Sequence, residues 1–400
     1  MLRSELMDIW IAGVAAVDPE RSVVRRAPEI ATDRYERVIV IAVGKAAAGM
    51  AAGLAAKLGR EPDDGVIIVP HGTTPVAALP VIEAGHPLPD EGSVTAGEHA
   101  LSLARSAGAD DLVVCLISGG ASALMAAPRV GLDCLREVNE ALIESGAPIA
   151  EVNAIRCALS MVKGGRLAEA AHAATLRTLL ISDVVGDDPA VIGSGPTVPG
   201  ADTDPLAVAA RYGIELPHKA MEALTVRPRL PPPHRRHETV VVASARDAAR
   251  GATEAAVRAG IRSHIVTTTL TGDTVVAAIA AIDRRAGEDV AISAGETTVR
   301  VEGAGRGGRN QHAALAAAIQ IANTDAVFLA AGTDGRDGPT DAAGAIVDGG
   351  TISRGRAAGL DAGEHLAAFD GYPYLEATGD LIRTGPTGTN VGDLWLVSSA

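Results

Sequence analysis

Short runs of consecutive apolar residues punctuate the first half of the chain. Arg37–Val43 (RVIVIAV), Gly65–Val69 (GVIIV), Leu112–Ile117 (LVVCLI) and Thr178–Ser182 (TLLIS) each read as a strand, with alanine-rich stretches of helical length between them. A strand that is apolar at successive positions is buried on both faces, the condition of a mainly parallel sheet covered by helices on either side. The first helix is expected from about Lys45. It carries Gly49 and Gly53 four positions apart, each costing about 1 kcal/mol in helix propensity, so this thin stripe is expected to lie close against the sheet.

Proline and cations break the pattern at Val226–His237 (VRPRLPPPHRRH), which places a linker and a division near Pro233. Two domains are expected, 1–233 and 234–400, each large enough to bury its own core. The second restarts with a strand at Thr239–Ala243, a helix over Asp247–Arg258 and a strand at Ser263–Thr267. Asp289–Ser293, Thr298–Glu302, Ala326–Ala331 and Leu394–Val397 are further strand candidates, and no solenoid period is present.

Composition narrows the partners. With 35 Lys+Arg against 49 Asp+Glu the net charge is −14, and aromatic residues are only 2% of the 400. A nucleic-acid binder needs a basic stripe, and a single-strand binder also needs aromatic platforms, so no nucleic acid is expected. A small anionic substrate is not excluded, because local cations can sit in an acidic protein. Cys115, Cys134 and Cys157 show no CxxC spacing, which argues against a disulfide framework or a cysteine zinc site. The opening MLRSELMDIWIAGVAAVDPERS has acids inside its apolar stretch and reads as an amphipathic helix, not a signal peptide. No apolar run reaches the roughly 18 residues of a membrane span. A cytoplasmic protein with no membrane partner is therefore expected.

Ligands of open α/β sheets gather where strands end and loops present backbone N–H groups. After the first strand comes Gly44-Lys45-Ala46-Ala47. This is not a P-loop, and Lys45 reads either as a solvated lysine or as a cation aimed at an anion at the helix start. After the third strand, Ser118-Gly119-Gly120-Ala121-Ser122 offers free N–H groups and hydroxyls, a phosphate cradle or simply a tight turn. After the fourth, Asp183, Asp187 and Asp188 crowd three acids into six residues, ahead of the glycine loop Gly193-Ser194-Gly195. Such acids repel unless a cation or strong donors hold them, and Mg²⁺ takes one or two carboxylates plus phosphate oxygens and water; a solvated acidic turn is the other reading.

Asn153, Arg156 and Lys163 fall within a few turns around one helix. Lys163 with Arg166 has the means to grip a carboxylate or phosphate, or to form a solvated basic face. His86, in a proline-flanked turn, is either a general base or a structural histidine. In the second half, Gly303, Gly305 and Gly308 fit GxGxxG ahead of a helix over Gln311–Ala322. The ribose-binding acid expected about 20 residues on is Phe328 here, and Arg306 and Arg309 occupy the loop. An arginine-bearing glycine loop suits phosphoryl-transfer charge better than a dinucleotide. Ala331–Gly338 and Thr384–Asn390 add a carboxylate turn and a hydroxyl-bearing glycine turn.

Taken in order, these segments resemble the glycerate 2-kinases, a family whose members have also been called hydroxypyruvate reductases and whose C-terminal part is known as the MOFRL domain. The resemblance rests on VGKAA (Val43–Ala47), GHPLPDEGSV (Gly85–Val94), LISGGASAL (Leu116–Leu124), VNAIRCALSMVKGGRLA (Val152–Ala168) and ISDVVGDDPAVIGSGPTVP (Ile181–Pro199). It continues through SAGETTV (Ser293–Val299), GRGGRNQ (Gly305–Gln311), AAGTDGRDGPTDAAGA (Ala330–Ala345) and GPTGTNVGDLWL (Gly385–Leu396), so it spans nearly the whole chain.

The resemblance implies an α/β enzyme with a larger Rossmann-like doubly wound sheet, a smaller C-terminal α/β domain with a mixed sheet, and an active site in the cleft between them. It implies ATP-dependent phosphorylation of D-glycerate at its 2-hydroxyl, with the family's essential lysine falling on Lys45 and its essential arginine on Arg309. Two positions depart from the family pattern: His312 stands where Glu commonly follows GGRNQ, and Ala245 where Asn-Arg commonly follows the Thr239–Ala243 strand.

Joined to the loops above, this gives catalytic roles to Lys45, Arg309 and Asp183, the last orienting or deprotonating the hydroxyl, with Asp187 on the Mg²⁺ side, or with the two aspartate roles exchanged. Nucleotide contacts are expected from Ser118, Gly119, Gly120, Ser122, Gly305, Gly307, Gly308 and Asn310, with the substrate carboxylate as the other candidate for the 118–122 turn, and substrate contacts from Asn153, Arg156 and Lys163. The expected assembly is a monomer or homodimer. A nicotinamide-dependent hydroxypyruvate reductase and a non-catalytic organic-acid binding protein are the alternatives.

Overall fold

The computed structural model describes residues 3–73, 78–226, 229–284, 290–301 and 303–398. Its first sheet contains β1 (Val38–Val43), β2 (Asp64–Pro70), β3 (Val81–Ala84), β4 (Leu112–Ile117), β5 (Thr175–Ile181) and β6 (His237–Ala243), in the order β3-β2-β1-β4-β5-β6. Strands β1 to β5 pair in parallel. Every residue of β1 and β4 is buried, as their uninterrupted apolar runs require. This is the strand order of a Rossmann sheet. It reverses direction between β1 and β4, where ligands of such sheets collect at the strands' carboxyl ends.

The first helix of this sheet begins at Ala47 and ends at Leu58. Its glycine stripe does not face the sheet as expected. A side chain on Gly49 would meet Pro19, and one on Gly53 would sit 2.5 Å from the Glu20 carbonyl, so the stripe admits the neighbouring helix Pro19–Arg26. Helix Glu91–Ser106 is fixed by a capping box: Asp90 accepts from the Ser93 N–H, and the Ser93 hydroxyl accepts from the Asp90 N–H.

The second sheet contains β7 (Ser263–Leu270), β8 (Val290–Gly295), β9 (Val327–Gly332), β10 (Gly344–Asp348), β11 (Leu381–Ile382) and β12 (Asp393–Ser398), ordered β11-β10-β9-β12-β8-β7. It is mixed, as expected: β7 and β8 are parallel, and the other pairings are antiparallel. Its core is built on small residues. Helix Arg309–Gln320 buries most of its alanines against the sheet, and Phe328 meets Trp395 edge-to-face at 5.6 Å.

The division of the chain differs from the one expected near Pro233. One compact unit gathers the described residues of Met1–Asp18, Ser182–Gly186 and Ala243–Ala400, and the other Pro19–Ile181 and Asp187–Val242. The strand at 237–243, read as the start of the second domain, completes the first sheet, and the Leu176 N–H donates to the Arg236 carbonyl at 2.9 Å. The N-terminal helix Arg3–Ala16 joins the later residues: Gly13 and Gly251 let it approach helix Ala245–Arg258 so closely that a side chain on either would collide. The proline run marks a loop and says nothing of which strand pairs with which.

The expected strand at Thr298–Glu302 is reduced to a bridge between Asp273 and Thr298. Its Glu302, the Asp289 of another expected strand, and Arg227 and Pro228 of the linker lie outside the described residues. Strands β3, β10 and β11 went unread. Among the described residues no helix is long and apolar enough to cross a membrane.

His237 ties β6 to β5, its Nε2 lying 2.9 Å from Thr178 Oγ1 and 3.0 Å from Thr239 Oγ1. Burial, with His234 nearby, pushes its pKa from the ordinary 6.5 down to about 4. The unfolded chain therefore binds a proton in this window that the folded chain refuses. Stability contributed by His237 is present above the ordinary pKa and lost as pH falls toward about 4. Urea midpoints measured across this range should fall with acidification, and His237→Gln should flatten that slope.

Candidate functional site

At the sheet reversal the loops after β1 and β4 are sewn together. The Lys45 N–H donates to the Gly119 carbonyl at 2.9 Å, the Ala46 N–H to Ser118 Oγ at 3.0 Å, and the Ser118 N–H to the Val43 carbonyl at 3.0 Å. Gly44 has φ +123°, and any side chain there would collide with Ser118. Lys45 is half-buried in the loop itself, two residues ahead of the helix, and not in the first helical turn as expected. Gly120, at φ +88°, lies under the exposed His86, whose ring would stand 3.0 Å from a side chain placed there.

The expected substrate residues converge on the far end of the same loop. Ser122 Oγ is 2.8 Å from Ser194 Oγ, which donates to Asn153 Oδ1 at 2.9 Å. Ser194 holds φ +62° between Gly193 and Gly195, both also left-handed. Lys163 Nζ donates to the Ser122 carbonyl at 2.6 Å, and Arg156 Nε to Asn139 Oδ1 at 3.2 Å. Burial, reinforced by Arg156, pushes the Lys163 pKa down to about 8, and burial also lowers that of Arg156. The Arg166 guanidinium is turned instead onto the carbonyls of Cys157 and Lys163, at 2.9 and 3.0 Å.

The other unit gathers its charge at one edge of its own sheet. Because β12 runs antiparallel between β8 and β9, its first residue, Asp393, lies level with Gly295 and Gly332, which end those strands. Helix Arg309–Gln320 begins beside them. Arg309 Nε donates to Asp393 Oδ2 at 2.6 Å and Nη2 to Oδ1 at 2.9 Å, a two-point fork. Its Nη1 lies 2.8 Å from Glu296 Oε1. Burial opposes the Arg309 charge, but Asp393 and Glu296 outweigh it and hold the pKa above its ordinary value.

Asn310 extends this network, its amide donating to Asp393 at 2.8 Å and accepting from Trp395 Nε1 at 2.7 Å. Asp337 caps the helix, taking the N–H groups of Asn310 and Gln311 at 3.0 and 2.7 Å. Burial pushes the Asp337 carboxyl up to about 7 against the pull of those amides.

Asp183 belongs to this unit, where Asn390 Nδ2 donates to it at 2.8 Å. Asp187 belongs to the other, with φ +56°, so the acidic run is shared between units. Among the described residues no group of three or more His, Cys, Asp or Glu is arranged to hold a metal ion. The glycine loop has an internal reason for its composition: side chains at Gly303, Gly305 and Gly308 would strike Ala368, Asp370 and Asp337 respectively. Its GxGxxG spacing serves packing within the unit. His312, the departure from the family pattern, stacks on Phe369 at 4.6 Å with the rings nearly parallel, and its Nδ1 is buried without a partner among the described residues. Ala245, the other departure, opens the helix that Ser244 and Asp247 cap.

Sequence reasoning missed Asp393, Glu296 and Asn139. Asp393 carried the same signal as Asp183, a carboxylate abutting a buried apolar run, but at the run's beginning. Only the antiparallel insertion of β12 brings that end to the ligand-bearing edge.

An open sheet that reverses beside a lysine-bearing loop, with N–H-rich turns around it, defines a Rossmann-like α/β enzyme whose loops gather at the strands' carboxyl ends. A domain of unknown function, DUF4147, matches residues 5–225, and the MOFRL family matches 289–393. A D-glycerate 2-kinase of Thermotoga maritima is 39% identical over 98% of this chain and 97% of its own length. A protein of Agrobacterium vitis provisionally named hydroxypyruvate reductase is 41% identical over 98% and 93%. The crystal structure of a Thermotoga maritima glycerate kinase superposes with a TM-score of 0.86 at 37% identity, covering 99% of each chain. The chain belongs to the glycerate 2-kinase family.

The buried Asp393 has a testable weight. Asp393→Ala leaves the Arg309 fork and the Asn310 amide without their shared acceptor, and loss of a buried partner costs about 3 kcal/mol. Urea unfolding of the variant should show that loss, and an unchanged midpoint would mean that the pair contributes nothing to the fold.

Proposed function

We propose that this protein is a kinase that transfers the terminal phosphoryl group of ATP to the 2-hydroxyl of D-glycerate, giving 2-phosphoglycerate and ADP. The observation that carries the reading is the sheet reversal, where Lys45 and the Ser118–Ser122 turn lie together at the carboxyl ends of β1 and β4. Relatives named for glycerate 2-kinase activity agree with it. The reductase alternative loses its main support because the GxGxxG-like loop packs against its own chain.

In this reaction the glycerate 2-oxygen attacks the γ-phosphorus as the bond to the bridging oxygen of ADP breaks. Catalysis of such a step is mostly positioning and charge stabilisation. Lys45 neutralises developing charge on the phosphoryl oxygens, and the N–H groups of Gly119, Gly120 and Ser122 face the polyphosphate. Ser118 has a structural share, since its hydroxyl accepts from Ala46. Arg309 supplies the second cation, its fork end held by Asp393 and its Nη1 shared with the partly exposed Glu296. Asp183 takes the hydroxyl proton, oriented by Asn390. Magnesium would add charge neutralisation at the phosphates. Isolated carboxylates such as Asp187 fit an ion that arrives with its nucleotide, which needs only one or two protein oxygens.

Coupled release of ADP from D-glycerate and MgATP, with the product assigned as the 2- or 3-phosphate, tests the assignment; no ADP release across several hydroxy acids would overturn it. Lys45→Ala should lower kcat by roughly 10²–10³. Arg309→Lys should do the same while keeping a cation for Asp393, because the ammonium cannot form the fork. Near-normal turnover in either variant would remove that residue from the mechanism.

A further inference from the structure

Lys163 is 6% exposed, yet the one hydrogen bond of its ammonium among the described residues goes to a neutral carbonyl, that of Ser122. Arg156 is half-buried beside it and spends only its Nε, on the neutral Asn139 amide. Among the described residues no carboxylate pairs with either cation, and burial keeps the neighbouring Cys157 thiol protonated. Arg166, also buried, likewise donates to carbonyls, those of Cys157 and Lys163, but two partly buried arginines of the other unit are held differently. Arg309 is matched by Asp393 and Glu296, and Arg354 by Asp348 and Asp380. Two adjacent cations out of water and without a carboxylate are costly unless an anion completes them.

We propose that Arg156 and Lys163 form the subsite that receives the carboxylate of the hydroxy-acid substrate. Both line one cavity with Ser122, Asn139, Ser160 and Pro89. Its volume is about 20 Å³, room for little more than one water-sized group, so only the carboxylate end of a ligand enters it, and most of the remaining wall is aliphatic. That admits the carboxylate of a small acid, the rest of which stays outside, and excludes a polyphosphate. The two terminal nitrogens of Arg156 form a fork suited to carboxylate oxygens, with Lys163 as a point charge beside it. Ser122 joins this cavity to the turn that begins at Ser118, so a substrate anchored here keeps its hydroxyl end toward the phosphate-bearing loop. The assignment rests on the kinase reading for the identity of the acid, and not for the presence of an anion site.

The test measures KM for D-glycerate and for ATP, together with thermal unfolding in D-glycerate or in glycerol, each with and without MgADP. Glycerol keeps the three-carbon polyol and lacks the carboxylate. Arg156→Met and Lys163→Met should each raise KM for D-glycerate by about tenfold or more, leave KM for ATP unchanged, and abolish the stabilisation by D-glycerate. Glycerol should stabilise none of the proteins. The ligand-free Lys163→Met protein should unfold no earlier than wild type, because an unmatched buried charge has gone; a purely structural lysine would give a lower melting point. Lys163→Arg and Arg156→Lys, which keep the charge, should recover part of the affinity. An unchanged KM for D-glycerate, or a rise confined to ATP, overturns the proposal. Wild-type stabilisation by D-glycerate without any turnover would instead overturn the kinase reading and leave the subsite standing.

Discussion

The hydrogen bonds that join the loops after β1 and β4 are the constraint on which the first unit depends. A parallel sheet of order 3-2-1-4-5-6 sends its chain in opposite directions from this seam, so no crossover covers the space above it. The Lys45–Gly119 and Ala46–Ser118 bonds then set where a half-buried lysine and a turn rich in N–H groups stand. Gly44 and Gly120 are needed because the backbone there is left-handed or lies directly under a neighbouring side chain.

The two units handle charge in opposite ways. Around Arg309 acids predominate: Asp393 is fully buried against it, Glu296 shares its outer nitrogen, and Asp337 closes the helix from which it projects. Around Lys163 and Arg156 the described partners are carbonyl, amide, hydroxyl and thiol groups and no carboxylate, and burial drives both pKa values down. A guanidinium so firmly held is suited to presenting a fixed charge. A cation pair so poorly matched is suited to gaining a partner. This contrast, and not the overall −14, is what bears on the ligands.

Much of the fold was legible because buried parallel strands announce themselves as apolar runs, and β1 and β4 were bounded nearly to the residue. Strands β3, β10 and β11 were not, because β3 is a largely exposed edge and the other two are short. The placement of 237–243 and of the N-terminal helix was unreadable for another reason: pairing across about sixty residues in the first case and packing across more than two hundred in the second leave no local trace. The site was legible in pieces. Strand-end reasoning named Lys45, Ser118–Ser122, Asp183 and Arg309 as candidates, of which the structure brings the Lys45 loop and the 118–122 turn together, and helix spacing grouped Asn153, Arg156 and Lys163. It could not find Asp393 or Asn139, whose partners are fixed by topology, and in the glycine loop at 303–308, read for phosphoryl-transfer charge, it could not see that packing within the unit already requires Gly303, Gly305 and Gly308.

The central claim is that the reversal between β1 and β4 is where the transferred phosphate is held. A crystal structure with D-glycerate and a non-hydrolysable MgATP analogue tests it most directly. The account predicts polyphosphate oxygens on Lys45 and on the N–H groups of the 118–122 turn. Polyphosphate bound on the 303–308 glycine loop, away from Lys45, would contradict it.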